Sequence, residues 1–471
     1  MHRRKVSSLI LNTVKSIISR IKVLTVLKIV VYLHKNICVM KHLLITIVLA
    51  VITATQVNAL TVNVDGLTYY LFEDTHEAMV DNGNKWEGEL VIPSEIPFCG
   101  QSYKVSSISW LGFVYCETLT RVTIPKTVQE IFHYCGIEDY KNPFIGCTNL
   151  EAIEVEEGNG SMCSVDGVLF SADTTALYSY PIGKTWEAYT IPAGVKIIRA
   201  NAFMDSQLLV TIRIPNSVSS INTGAFQNCS RLDEVLLPSE IKYIPAYLFQ
   251  NCKSLKKVNI PQGVTSIGEK AFDGCSSLTN ALLPEGLKSL GGLAFWHCAS
   301  LREVFVPSTL PEIEQSVFSG CSSLSKVTIS NGVTRIYNTV FMGCTSLRTL
   351  DIPKSVVYLG SCVFKNCHFD ALIIRGRFET KDIQKDAFEG MDVSSVIYVQ
   401  PSEIEKFKKV YQGTVLPLTD YVPSGLSPVT GQSSASQSHD ILYDLQGRRL
   451  TTEPKRGVYI KGGKLWVKSG M

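Results

Sequence analysis

Residues 252–274, CKSLKKVNIPQGVTSIGEKAFDG, run directly into 275–297, CSSLTNALLPEGLKSLGGLAFWH, and 298–320, CASLREVFVPSTLPEIEQSVFSG. Written one above another, the three agree at the first position (Cys), the fourth (Leu), the tenth (Pro) and the twenty-first (Phe). Followed both ways, the 23-residue step gives Phe203, Phe226, Phe249, Phe272, Phe295, Phe318, Phe341 and Phe364. The Cys column is Cys229, Cys252, Cys275, Cys298, Cys321, Cys344 and Cys367. The Pro column is Pro192, Pro215, Pro238, Pro261, Pro284, Pro307 and Pro353, with Ser330 in its one gap. Three chemically unlike columns in one register predict a repeat solenoid rather than a globule.

Within a unit, L-x-x-V-x-I alternates apolar and polar residues as a half-buried strand does, and the following Pro, which has no N–H to donate, ends it. One short β-strand per 23-residue coil is expected, the strands forming a parallel sheet. The segment V-x-x-I-x-x-x-A-F is apolar at spacings of three and four, which predicts a tight or irregular helical return. One coil cannot bury its apolar side alone; stacked at the strand spacing of about 4.8 Å, the coils share a continuous core.

The Phe column reads as a buried aromatic ladder. Stacked coils would bring successive Cys Cα atoms about 5 Å apart, within bridging range. The side chains would nevertheless point in parallel, and an unbridged Cys buries readily, so the column reads as free thiols. No C-x-x-C pair occurs, and His297 and His368 read as loop residues beside the ladder, so neither metal nor cofactor is expected.

The amino terminus distorts the net charge of +3: residues 1–59 hold nine of the 45 Lys and Arg and no Asp or Glu, leaving 36 basic against 42 acidic residues. An acidic body lacks the basic footprint that nucleic acid binding needs. From Met40, MKHLLITIVLAVITATQVNA has a charged start, an apolar run and small residues at Val57 and Ala59, the layout of a signal peptide spanning 40–59. Residues 1–39 read as an over-called start, with an apolar stretch from Ile21 to Leu33 that would form an anchor if translated. Thirteen cysteines follow residue 59, an odd number. Bridges are therefore sought only among Cys99, Cys116, Cys135, Cys147 and Cys163, of which Cys116 and Cys147 also fit the ladder.

The remaining boundaries follow pattern and composition. Residues 60–103 are strand-rich and read as an amino-terminal β cap, and coils run over 104–391. An insertion at about 163–190 carries a hairpin at DGVLF and ALYSYP that should protrude from the stack, as should an eight-residue expansion between Ile131 and Asn142. VIYVQPSEIEKFKKVYQG lies in a carboxyl-terminal cap, 392–421, as a strand and a short amphipathic helix. Residues 422–440 are Pro, Gly and Ser rich, a flexible linker. Residues 441–471 form a separate β segment.

The repeat C-x-S-L-x-x-V-x-I-P-x-x-V-x-x-I-x-x-x-A-F resembles the leucine-rich repeats of BspA-like bacterial surface proteins over residues 60–420, including the VDGVLF…YSYPIGK insertion and the IYVQPSEIEKFKKVY close. ILYDLQGRRLTTEPKRGVYIKGGKLWVK resembles the short sorting domain of the type IX secretion system. The resemblance implies a non-enzymatic protein, secreted or on the outer cell surface of a Gram-negative bacterium. It implies adhesion through protein binding to host matrix or other cells, with membrane association only through export or anchoring. No G-x-S-x-G, H-E-x-x-H or phosphate-cradling glycine loop is present.

Strand alternation itself offers a binding face. The outward position between the two buried ones reads Arg213, Leu236, Asn259, Leu282, Phe305, Thr328 and Asp351, with Lys256, Lys257, Arg302, Glu303, Lys326 and Arg348 as a charged rim. Exposed apolar clusters often mark partner surfaces. A glycan-binding module would want aromatic platforms, for which only Phe305, Trp186 and Tyr180 offer themselves. A surface spacer would want a polar column instead.

Overall fold

The computed structural model describes residues 59–83, 86–132 and 142–421, together with the backbone of four short strands between Leu442 and Lys468. The expected signal segment and upstream extension, the linker at 422–440 and most of the expansion between Ile131 and Asn142 lie outside the described residues. Two compact units separate: one runs through Met79 and adds Glu95–Val105, the other takes Val80–Ser94 and everything from Ser106 onward.

In the first unit Ala59–Val64 pairs antiparallel with Leu67–Phe72, and Glu95–Phe98 pairs antiparallel with the strand beginning at Gln101. Both hairpins turn on two left-handed residues, Asp65-Gly66 at φ 49° and 88°, and Cys99-Gly100 at φ 49° and 78°. Such paired positive φ values match the twist of the flanking strands, which is why Asx-Gly and similar pairs close them. Leu67, Tyr69 and Leu71 alternate inward along their strand.

The second unit is a β-solenoid whose turns follow one another about every 23 residues. Strands such as Glu234–Leu236, Lys257–Asn259, Glu303–Val306 and Lys326–Ile329 pair in parallel, with Val235 opposite Val258 and Val304 opposite Val327. The structure adds a second, two-residue strand to each coil that sequence alternation could not reveal. Tyr243–Ile244, Ser266–Ile267 and Ser289–Leu290 form one such parallel set. The segment after it, expected as a helical return, is a chain of tight turns closed by bonds such as Phe226 O to Cys229 N. Two left-handed residues per coil shape these turns. One column includes Tyr247, Lys270, Leu293, Ser316 and Thr339 at φ 54–61°, and the other includes Asn228, Asn251, Gly274, His297 and Gly320 at φ 56–76°. Asn and Gly in the second column suit this conformation, whereas β-branched Thr339 is held there against its preference.

Coil-to-coil bonding continues on this turn side. Phe249 N–H donates to Ala271 O at 2.8 Å, and the same bond recurs from Phe203 to Phe341. Each Phe carbonyl then accepts the thiol of the next coil: Cys252 Sγ lies 3.1 Å from Phe226 O, Cys275 3.1 Å from Phe249 O and Cys298 3.1 Å from Phe272 O. The ladder cysteines are thus hydrogen-bond donors that a same-sized apolar residue would not replace. Cys147 makes the same bond to Phe113 O at 3.0 Å, which extends the rule into the irregular coils. Phe203 to Phe364 stack with centroids 5.0–6.2 Å apart and planes within 24°. Each buried ring contributes about 1.5–3 kcal/mol by leaving water. Tyr180 takes the same column one coil earlier, 5.1 Å from Phe203.

Beside the rings run two amide ladders of opposite sense. Asn251 donates to Asn228 and Asn228 to the Asp205 carboxylate, while Gln227 donates to Gln250 and Gln250 to the Asp273 carboxylate. Each line ends on a carboxylate, the strongest acceptor in its row.

The insertion does not protrude. Met162–Val165, Val168–Ser171 and Ala176–Ser179 form an antiparallel meander whose last strand pairs in parallel with Ile197–Ile198. Val168, Phe170 and Leu177 are fully buried, so the insertion extends the stack because its apolar side chains find the core there. At the other end Pro401–Glu403 and the single-turn helix Ile404–Phe407 place Phe407 and Tyr411 against Phe388, itself stacked on Phe364. Separately, Leu442–Tyr443, Arg449–Leu450, Gly457–Lys461 and Lys464–Lys468 pair antiparallel as a four-stranded sheet.

Candidate interaction face

On the outer side of the long strands, every outward residue of the column from Arg213 to Asp351 is exposed. Leu282 is 71% exposed, Leu236 60% and Phe305 37%. Ala281 is opposite Val304, so Leu282 and Phe305 follow them as neighbours, and Phe305 in turn is opposite Thr328. Asn259 stands between Leu236 and Leu282, and its amide is spent on the adjacent coil: Oδ1 accepts from Leu237 N at 2.6 Å and Nδ2 donates to Leu237 O at 3.1 Å. It therefore interrupts the apolar line and closes the end of one short sheet, after which pairing resumes at Asn280. Strand parity places Asn259 on the face, whereas its amide group bonds its own fold.

The rim divides in the same way. Lys257 pairs with Glu234 at 3.1 Å, Lys256 with Asp233 at 2.9 Å, and Lys326 with Glu303. These bases bind the acid one coil back, a cross-strand arrangement worth little in stability but enough to fix the side chains. Arg302 and Arg348 are exposed and make no ion pair among the described residues. Arg213 likewise has none among them.

Past Thr328 the face opens into a groove of about 510 Å³, lined by Thr328, Asn331, Asp351, Lys354, Arg375 and Gln400 among others. Arg375 grips Asp351 through both ends of its guanidinium, Nε to Oδ1 and Nη2 to Oδ2, each 2.7 Å. That carboxylate raises the guanidinium pKa further above its ordinary value. Beyond the groove the outward column is closed off: Ile373 is buried, and Tyr398 meets Tyr421 edge-on at 5.1 Å. Only Thr328 and Asp351 of this groove were legible as face residues. Arg375 and Gln400 come from coils whose spacing departs from 23, so no column pointed to them.

The other candidates resolve differently. Tyr180 is 2% exposed and part of the aromatic ladder, so it offers no glycan platform, because the repeat register puts its ring inside. Trp186 is 39% exposed, with Lys184 Nζ 4.0 Å from its ring centre and Tyr189 stacked 6.0 Å away. His297 lies against Trp296 at 3.9 Å and overhangs Gly320. His368 bridges Asp370 at 3.3 Å and Asp392 at 3.0 Å. Asp392 also accepts from Ser394, and these bonds lower its pKa to about 2.

The ladder thiols are unreactive by environment: burial pushes Cys321 and Cys367 up to about 12 and raises Cys298 well above its ordinary value. Among the described residues, Cys362, Asp386 and Glu389 bring ligand-type atoms within 4.8 Å of one another. There burial and the two acids hold the thiol protonated.

The outer strand face thus carries an apolar line at Leu282 and Phe305 and a polar groove past Thr328. The family model described as BspA type leucine rich repeat region matches in six copies, over residues 102–170, 178–302 and 266–394. No curated protein matches the chain. Among solved structures, a leucine-rich repeat protein from Bacteroides ovatus is 22% identical, covering 75% of this chain and 98% of its own, with a TM-score of 0.47. A leucine rich cell surface protein from Faecalibacterium prausnitzii is 21% identical over 76% of this chain and 99% of its own, with a TM-score of 0.38. The chain belongs to the BspA-type leucine-rich repeat family, a family of surface-type repeat scaffolds.

Proposed function

We propose that this protein is a non-enzymatic adhesin of the cell surface or the secreted fraction, binding extracellular proteins through the outer strand face. One observation supports this above the others: Leu282 and Phe305 stand adjacent and exposed in the outward column. Apolar side chains placed side by side on a rigid sheet are the usual core of a protein-binding patch, and the flanking charges supply its rim. Export through the segment at 40–59 and a sorting role for the tail at 441–471 belong to the same proposal.

The test is saturable solid-phase binding of the purified protein to fibronectin, fibrinogen, other matrix proteins and a glycan array. The Leu282→Asp/Phe305→Asp double variant is run beside it, and circular dichroism checks its fold. Binding to a protein that the double variant loses is the expected result. Binding that survives the double change would move the site off this face. Capture of glycans alone would favour a carbohydrate-binding module, for which exposed Trp186 is the remaining aromatic platform.

A further inference from the structure

Charge on the outer strand face is distributed unevenly between acids and bases. Glu187, Asp233, Glu234, Glu303 and Asp351 are each tied to a base of a following coil: Arg231, Lys256, Lys257, Lys326 and Arg375. Arg302, Arg348 and Lys354 are exposed and have no ion pair among the described residues. Intramolecular pairing therefore ties up these five acids and leaves these three bases over, although the chain after residue 59 is acidic as a whole and exposed Glu285, at the position of Lys354 three coils earlier, has no ion pair among the described residues either.

The groove concentrates this surplus. Asp351 is neutralised by the bidentate bond from Arg375, which uses two of five guanidinium donors and leaves Nη1 uncommitted. Lys354 adds an ammonium that makes no ion pair among the described residues, and Thr328, Asn331 and Gln400 add neutral hydrogen-bonding groups. A guanidinium held rigid by one carboxylate is already oriented to receive a second, and a neighbouring ammonium favours that second charge.

Phe305 leads into the groove through Thr328, its partner in register, and Asp351 follows one coil on. At about 4.8 Å per coil, the apolar pair and the basic end of the groove are about 10–14 Å apart, three or four residues of extended chain. We propose that the partner presents an extended acidic segment. Its apolar side chain sits on Leu282 and Phe305, and a carboxylate three or four residues away is held by Lys354 and Arg375. Such a segment crosses the strands along the stack and is read through its side chains. The proposal rests on the protein-binding reading above and gives that partner its chemistry.

The probes are fluorescent twelve-residue peptides of Gly, Ser and Asn carrying one Phe and one Asp, separated by one to seven positions, with matched Phe/Lys peptides and soluble polygalacturonate. Anisotropy with the full chain is expected to be tightest when Asp stands three or four positions from Phe. Lys in place of Asp, or the exposed-site variant Lys354→Glu, is expected to weaken binding about tenfold, and added salt to weaken it further. Equal binding of the Asp and Lys peptides overturns the proposal. So does polygalacturonate binding that needs Lys354 but not Phe305, which would make the ligand an acidic glycan. If a matrix protein binds through Leu282 and Phe305 yet Lys354→Glu leaves it unchanged, the protein-binding reading stands and the acidic segment falls. If nothing in either panel binds this face, both fall.

Discussion

Phe272 and Leu282 lie ten residues apart in neighbouring coils; each is a large apolar residue in a 23-residue column, yet one is fully buried and the other 71% exposed. On the turn side the column repeats the same residue through Phe203–Phe364, because each ring packs on the ring of the next coil and a change propagates both ways. On the strand side the column drifts from Arg213 through Leu236 and Asn259 to Asp351, because what lies outside it is solvent. The period builds the scaffold, and departures from constancy within it locate the surface free to specialise. A repeat protein separates stability from recognition by side rather than by region.

Substitutions should split along the same line. The largest loss is expected for Phe272→Ala, about 3–5 kcal/mol by chemical denaturation, since it opens a cavity between Phe249 and Phe295. A loss of under about 1 kcal/mol would mean the ladder relaxes around gaps and the comparison weakens. Next is Gly332→Ala. Gly332 has φ 133°, and a Cβ there would overlap the Ser308 carbonyl oxygen, so about 1–3 kcal/mol is expected.

Cys298→Ala removes a thiol donor from Phe272 O and should cost about 1 kcal/mol. Thiol titration sharpens the same point. Unfolded thiols ionise near 9.0, whereas burial holds folded Cys321 and Cys367 protonated until about 12. Their contribution is therefore complete below pH 9 and is lost progressively as pH rises toward 12, because the unfolded chain then releases protons that the folded chain keeps. Thermal melts from pH 8 to 11 should show the decline, and a thiol reagent at pH 8 should label the ladder only after denaturation. Smallest of all, Leu282→Asp with Phe305→Asp should change stability by no more than about 0.5 kcal/mol. A larger loss would show that the outer column carries structure after all.

The turn-side ladder was almost wholly legible, because Phe, Cys and Pro recur at one interval and each marks a distinct physical role. The two-residue strands such as Ser266–Ile267 were not, since a pair of residues is too short for alternation to register. The insertion misled because its alternating hairpin looks like a free appendage, whereas Phe170 and Leu177 fill the core that the neighbouring coil leaves open. On the candidate face the exposed positions were read correctly from strand parity. Their commitments were not: Asn259, Lys257 and Lys326 bind adjacent coils, and contacts 22 or 23 residues away leave no trace in a single repeat. Arg375 belongs to a late coil, where the changed spacing hides the register, and Lys354 keeps the register but follows Pro353, past the alternating strand.

The bonds from Phe N–H and Cys Sγ to the adjacent coil all run along the stack, so a pulling force would load them end to end, one layer at a time. A tethered molecule of this kind would lengthen in steps, each released coil of 23 residues yielding roughly 80 Å of slack. Such a scaffold would act as an extensible leash, releasing coils one after another while those still folded keep their face intact.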